Sequence, residues 1–273
     1  MLDRTRSVQV AAVVVVGVLV VLSGCAGVLD GNDDGETSPD PSETPPGVAN
    51  ATLPPGVNET SLVDADALIG AHVEAMAAEG FVYTYEHRRV KTFPNDTTIR
   101  DISVHGEVRA TANLTALREE ADRDRPRDET TNGWTNATGG FERVVADGTT
   151  YERRSSGPSA ADTVHYLLMN VLGNGEWNLS TVADGGEQVV LVADGSRDGT
   201  PGSRMTPSVA GRLVVDSEGR IRELNVTARR QWYESDVGGR IDTRRTFTYE
   251  VTAVGNVSVS RPGWVDEARN ATG

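Results

Sequence analysis

The sequence predicts an α+β domain built on a large, curved antiparallel sheet, a half-barrel with about two helices. Three observations carry that prediction. Segments of alternating polarity outnumber helix-periodic ones by about nine to two. Most follow one another across short turns rich in Gly and Asp, as hairpins do. Two helices of about 15 residues cannot cover nine strands laid flat, so the sheet must curl on itself.

Before that domain comes an address. Arg4 and Arg6 precede a run from Val8 to Leu22 of mainly Val, Ala and Leu. The run is short for a membrane span of about 20 residues but suits a signal peptide. Leu22-Ser23-Gly24-Cys25 then matches the bacterial-type lipobox, and Cys25 is the single cysteine of the 273 residues. The match implies a signal peptide over 1–24, cleavage before Cys25 and a two-chain lipid on its sulfur, enough for stable anchoring. An uncleaved signal anchor with an incidental cysteine is the competing reading. Residues 25–60 read as a disordered tether: Pro, Ser, Thr and acids dominate, and the run 31–46 has no apolar face to bury. The single domain is expected over 61–260, with a polar tail at 261–273.

Within the domain, Ser61 to Glu79 is predicted helical: Leu68, Ile69, Val73 and Met76 recur at helical spacing, Ser61 or Asp64 caps it, and Gly80 ends it. Phe81 to Arg88 and Thr98 to Ala110 alternate as strands. Arg118 to Asn136 carries both charge signs without apolar periodicity, so a mobile surface loop is expected there, with a substrate lid as the alternative. A second helix is expected over Ser159–Leu172. Strands are expected at Trp177–Val182, Gln188–Ala193, Gly211–Val215, Ile221–Tyr233 and Arg240–Val254, with Val257–Val259 as a short last one. Val-Ala-Asp-Gly occurs three times, ending at Gly148, Gly185 and Gly195, and Asp216-Ser217-Glu218-Gly219 resembles it. All four are read as turns, with Gly supplying positive φ.

Composition narrows the function. The formal charge is −14 and the pI about 4.7, which argues against nucleic acid as a partner. Of 26 basic residues only Lys91 is lysine. An acidic, Arg-dominated chain fits a halophilic archaeal proteome, where a Debye length of about 3 Å at molar salt removes the self-repulsion. Nine of 13 Asn stand in Asn-X-Ser/Thr sequons: Asn50, Asn58, Asn95, Asn113, Asn136, Asn178, Asn225, Asn256 and Asn270. They are glycosylation candidates, although a Thr-rich, alternating sequence also brings Asn and Thr together.

No catalytic constellation stands out. His72, His87, His105 and His165 lack metal-ligand spacing, no Gly-x-Ser-x-Gly elbow occurs, and no cofactor or metal is expected. His72 and His165 are read as boundary or surface residues. An enzyme is not expected. Candidates for lining an apolar cavity are Phe81, Tyr83, Tyr85, Leu224, Val226, Trp232, Phe247 and Tyr249, each of which fits a plain core position equally well.

The lipobox, the acidic tether, a first helix ending in Gly80-Phe81-Val82-Tyr83-Thr84, a middle helix and a late Gly211-Arg212-Leu213-Val214-Val215-Asp216 hairpin resemble an uncharacterised family of haloarchaeal lipoproteins. The order of elements is similar to the LolA/LppX-type lipoprotein carriers, which implies a curved sheet holding acyl chains. The expected protein sits on the outer face of the cytoplasmic membrane through its lipid anchor and binds a lipid or other apolar ligand. The alternative is a non-enzymatic structural or protein-interaction lipoprotein of the cell surface, with an envelope protein as partner.

Overall fold

The computed structural model describes residues 48, 51–111, 114–123, 128–154, 165, 168–169, 171–183, 186–195, 208–235 and 238–273. The signal peptide, Cys25, Asn50 and Asn113 lie outside them. Two meanders make one sheet. The first comprises β1 (Phe81–Thr92), β2 (Thr98–Ala110), β3 (Leu114–Arg123), β4 (Asp128–Asn136), β5 (Gly139–Val145) and β6 (Thr149–Arg154). The second comprises β7 (Asn178–Ala183), β8 (Gln188–Asp194), β9 (Ser208–Asp216), β10 (Ile221–Glu234) and β11 (Gly239–Val254). They join where β1 pairs β11, giving an open, curved antiparallel sheet in the order β6-β5-β4-β3-β2-β1-β11-β10-β9-β8-β7. The α+β prediction therefore holds, with eleven strands rather than nine.

Helix α1 (Ala65–Ala78) starts where Asp64 accepts a hydrogen bond from the Ala67 amide at 2.9 Å. It ends on an extended Glu79 rather than on a left-handed glycine. Gly80 is needed for another reason: a Cβ there would lie 2.9 Å from the Gly255 carbonyl oxygen, which faces it where β1 meets the end of β11. Leu68, Ile69 and Met76 of α1 close over Tyr83, Tyr249, Leu224 and Leu213, all of them buried. This helix-bearing side is the inner face, and burial of its large apolar side chains supplies most of the stabilisation. Of the predicted second helix, His165, Leu168, Met169, Val171 and Leu172 are described and helical, with Leu168 and Leu172 in the same core. The rest of that segment lies outside the described residues.

Four expectations change. Most of the predicted Arg118–Asn136 loop is β3 and β4, whose ladder runs from Leu114 opposite Asn136 to Asp122 opposite Asp128. The sequence there alternates charges rather than apolar residues, so the apolar period is lost while the backbone pairing remains. The expected polar tail contains helix α2 (Trp264–Thr272), which buries Val265 and Ala268. Val257–Val259 forms no strand. Finally, packing begins before residue 61: Val48 belongs to the core, and Leu53 and Val57 pack against it. The Leu62 amide bonds the Trp177 carbonyl at 2.9 Å, tying this stretch to the start of β7.

The turns divide. Gly219 has φ +83° and closes the β9–β10 hairpin as expected. Gly195 has φ +81° but opens the long connection to β9 instead of a tight turn. Gly148 closes β5–β6 without positive φ, and the Val182–Gly185 turn falls partly outside the described residues.

Candidate functional site

Seven of the eight cavity candidates come together. Phe81, Tyr83 and Tyr85 follow one another along the inner face of β1, with Phe81 stacked on Tyr83 at 5.9 Å between centroids. Tyr83 lies 5.2 Å from Tyr249. Leu224 and Val226 stand opposite Tyr249 and Phe247 across the β10–β11 ladder. All seven are buried, and α1 seals them. They form a filled core, because the helix inserts its own side chains where a ligand would have to lie. Trp232 is separate: it is half-buried near the far end of β10, opposite Ile241, with the Arg230 guanidinium 6.0 Å from its ring centroid.

The histidine expected at a boundary is the most enclosed of the buried polar or charged side chains among the described residues. His72 is fully buried on α1. Its Nδ1 accepts the Ile221 amide proton at 3.1 Å, which leaves Nε2 protonated to donate to the Tyr249 hydroxyl at 3.0 Å. Burial first, and the Arg222 charge second, lower its pKa to about 3. Burial and neighbouring Tyr83 push the Tyr249 phenol well above its ordinary value. The pair is a neutral strut between helix and sheet, out of reach of any substrate. A signal for it existed: His72 continues the 65, 68, 69, 76 face of α1 at helical spacing. His87 is half-buried on the inner face, while His105 and His165 are exposed.

A pocket of about 410 Å³ lies over the central strands, where its polar wall is formed on the outer face by Thr84, Glu86, His105, Glu223, Asn225 and Glu250. Among the described residues, no group of three or more His, Cys, Asp or Glu is placed to hold a metal. No described helix is long and apolar enough to cross a membrane.

Of the seven described sequon asparagines, Asn58, Asn95, Asn178, Asn225, Asn256 and Asn270 are exposed and Asn136 is half-buried. At Asn58, Asn95 and Asn136 the side-chain oxygen accepts the amide proton of the sequon threonine at 2.9, 3.1 and 2.9 Å. The oxygen is thus engaged locally, and the amide nitrogen, where a glycan attaches, is the remaining side-chain group. Asn225 sits on the outer face of β10, as its strand position required.

No protein-family model matches the chain, and no curated protein matches it. Among solved structures, the crystal structure of ywiB protein from Bacillus subtilis is similar over 64% of this chain and 96% of that chain, at 14% identity. Its TM-score of 0.21 carries no argument about fold or function.

Proposed function

We propose that this chain is a lipid-anchored, glycosylated cell-surface protein of a halophilic archaeon, whose domain serves as a non-enzymatic binding module. The observation that carries the reading is the arrangement around Cys25. A lipobox cysteine is followed by the acidic, Pro-rich stretch 31–46, which has no apolar face in sequence, and Val48 is already part of the described core. That order suits a domain held a short distance off the membrane. Solvent-facing sequons at both ends of the sheet favour the outer side of the membrane, where glycans attach.

Between the two binding readings, the filled core favours recognition at the surface over enclosure of an apolar ligand. A lipid would have to displace α1, whose Leu68 and Ile69 have no solvent exposure. Expression of the wild-type chain and Cys25→Ser in a halophilic archaeal host tests the anchor. The wild type is expected in the membrane fraction with the mass of a lipid on Cys25, and the variant in the soluble fraction or unprocessed. Retention of Cys25→Ser in membranes after high-pH extraction would overturn the lipid-anchor reading.

A further inference from the structure

Charge on the outer face of the central strands is ordered in rows. Where β10 pairs β11, Glu223 stands opposite Glu250, Asn225 opposite Thr248, Thr227 opposite Thr246, and Arg229 opposite Arg244. β1 continues these rows, with Thr84 beside Glu250, Glu86 beside Thr248, Arg88 beside Thr246 and Val90 beside Arg244. The three glutamates and three arginines of this patch are all exposed. Among the described residues Arg88, Arg229, Arg244, Glu86 and Glu250 have no ion-pair partner, while Glu223 meets Arg212 at 2.9 Å.

Two features set this pattern apart from an ordinary solvated surface. Like charges stand directly opposite each other in the first and fourth rows, which costs stability in a ladder. The pattern is also antisymmetric about a line between the second and third rows. Each acid on one side has a base at the same distance on the other, on the same strand: Glu223 with Arg229, Glu250 with Arg244, and Glu86 with Arg88. A strand rises about 3.4 Å per residue, so the charges lie about 10 Å from the line on β10 and β11 and about 3.4 Å from it on β1. The three glutamates line the pocket of about 410 Å³. The acidic half is therefore a hollow, and the basic half presents three guanidinium groups without a counter-ion in the chain.

We propose that this face pairs with the same face of a second copy of the chain, about a two-fold axis along that line. The rotation reverses the strand direction and lays the basic half of each copy over the acidic half of the other, as an isologous interface requires. Arg88, Arg229 and Arg244 then enter the hollow of the second copy against its Glu86, Glu223 and Glu250, three ion pairs in each direction. One exposed ion pair contributes little, but the symmetric set forms together, and guanidinium and carboxylate match in geometry. A partner of one sign, a polyanion or a basic peptide, would satisfy half of the face and be repelled by the other half. Asn225 stands beside the line, so the pairing requires this sequon to be unmodified. The inference rests on the domain acting by recognition at its surface; the lipid anchor only raises the local concentration of the two copies.

The test is sedimentation equilibrium of the full-length chain in density-matched detergent at one fixed molar salt concentration. The wild type is expected to show a monomer–dimer equilibrium. Arg229→Glu with Arg244→Glu turns all four charges of the first and fourth rows acidic, and Glu223→Arg with Glu250→Arg turns them all basic. Each double variant alone is expected to self-associate about tenfold or more weakly, and their equimolar mixture should recover a heterodimer within about threefold of the wild type. Arg153→Glu with Arg269→Glu, the same reversal outside the patch, should change association by no more than about twofold. Circular dichroism checks the fold of each variant. Where a double variant fails to fold, the single exposed substitution Arg88→Glu replaces it and should weaken association about threefold or more. Peptide masses from the dimer fraction should show Asn225 unmodified. A wild type that stays monomeric, reversed variants that dimerise as the wild type does, folded variants that do not recover on mixing, or a glycan on Asn225 in the dimer would overturn the pairing. The anchor is read separately, by fractionation of Cys25→Ser, so failure of one reading is distinguishable from failure of the other.

Discussion

The His72 imidazole and the Tyr249 hydroxyl meet at 3.0 Å in the centre of the core, and their bond fastens α1 to the longest strand of the sheet. The first prediction concerns acid. The folded pKa of about 3 lies below the ordinary 6.5, so the unfolded chain takes up a proton that the native state refuses. Stability from this group is complete above pH 6.5 and falls as pH drops towards 3, by about 1.4 kcal/mol per pH unit. His87, whose pKa is also lowered, contributes in the same direction. Between pH 6.5 and 5, before most carboxylates titrate, denaturant melts should reveal this slope. His72→Gln, which can still accept the Ile221 amide proton, should flatten it. Tyr249→Phe should cost about 1–3 kcal/mol at neutral pH by leaving His72 Nε2 without its acceptor.

Two glycines should respond to alanine with opposite signs. A Cβ on Gly106 of β2 would lie 2.3 Å from the ring of Tyr85, which is buried and cannot swing away. Gly106→Ala is therefore expected to lose at least the 1–3 kcal/mol typical of overpacking, about what a misplaced methyl costs in a core. Gly70 sits exposed in the middle of α1 with nothing within 4 Å of its virtual Cβ. Gly70→Ala should gain about 0.5–1 kcal/mol from helix propensity alone. Urea unfolding of both variants under identical salt checks the pair.

What the sequence made legible, and what it hid, follows from which face each residue serves. Tyr83 and Tyr85, or Leu224 and Val226, alternate against polar neighbours, so period two reads them correctly as inner residues. The same parity carried two to six residues further along these strands would have placed Arg89, Lys91, Arg230 and Arg245 inside. Charge on them reads instead as a solvated face, because alternation is recognised by its apolar members. β3 was hidden for a related reason: its register to β2 pairs Glu120 with His105 and Glu119 with Gly106, so neither face carries an apolar stripe there. The cavity was inferred from two helices too few to cover nine strands. α1 does cover the central core, and the remaining area is partly covered from the other side by α2, within a segment whose polar composition concealed a single buried pair, Val265 and Ala268.

That helix can be tested by removal. α2 lies against β5 and β6. Tyr151 of β6 donates to Glu267 at 2.7 Å, and the Arg261 guanidinium preceding the helix stands 5.9 Å from the Trp134 ring centroid. By register Trp134 is on the face opposite Tyr83, so α2 contributes nothing to the α1 core. Ending the chain after Arg261 should raise amide exchange in β4, β5 and β6 while leaving β9, β10 and β11 protected. A uniform rise across all eleven strands would mean that α2 supports the whole sheet rather than its outer half.

Salt should decide whether the acidic balance is an adaptation. With a net charge of −14, dilution lengthens the Debye length from about 3 Å at 1 M to about 10 Å at 0.1 M, and acidic side chains begin to repel across the surface. Circular-dichroism melts are therefore expected to move to lower temperature as sodium or potassium chloride falls from molar to 0.1 M. A melting temperature independent of salt in the wild-type chain would contradict the halophilic reading and leave the acidic surface as an ordinary solubility feature.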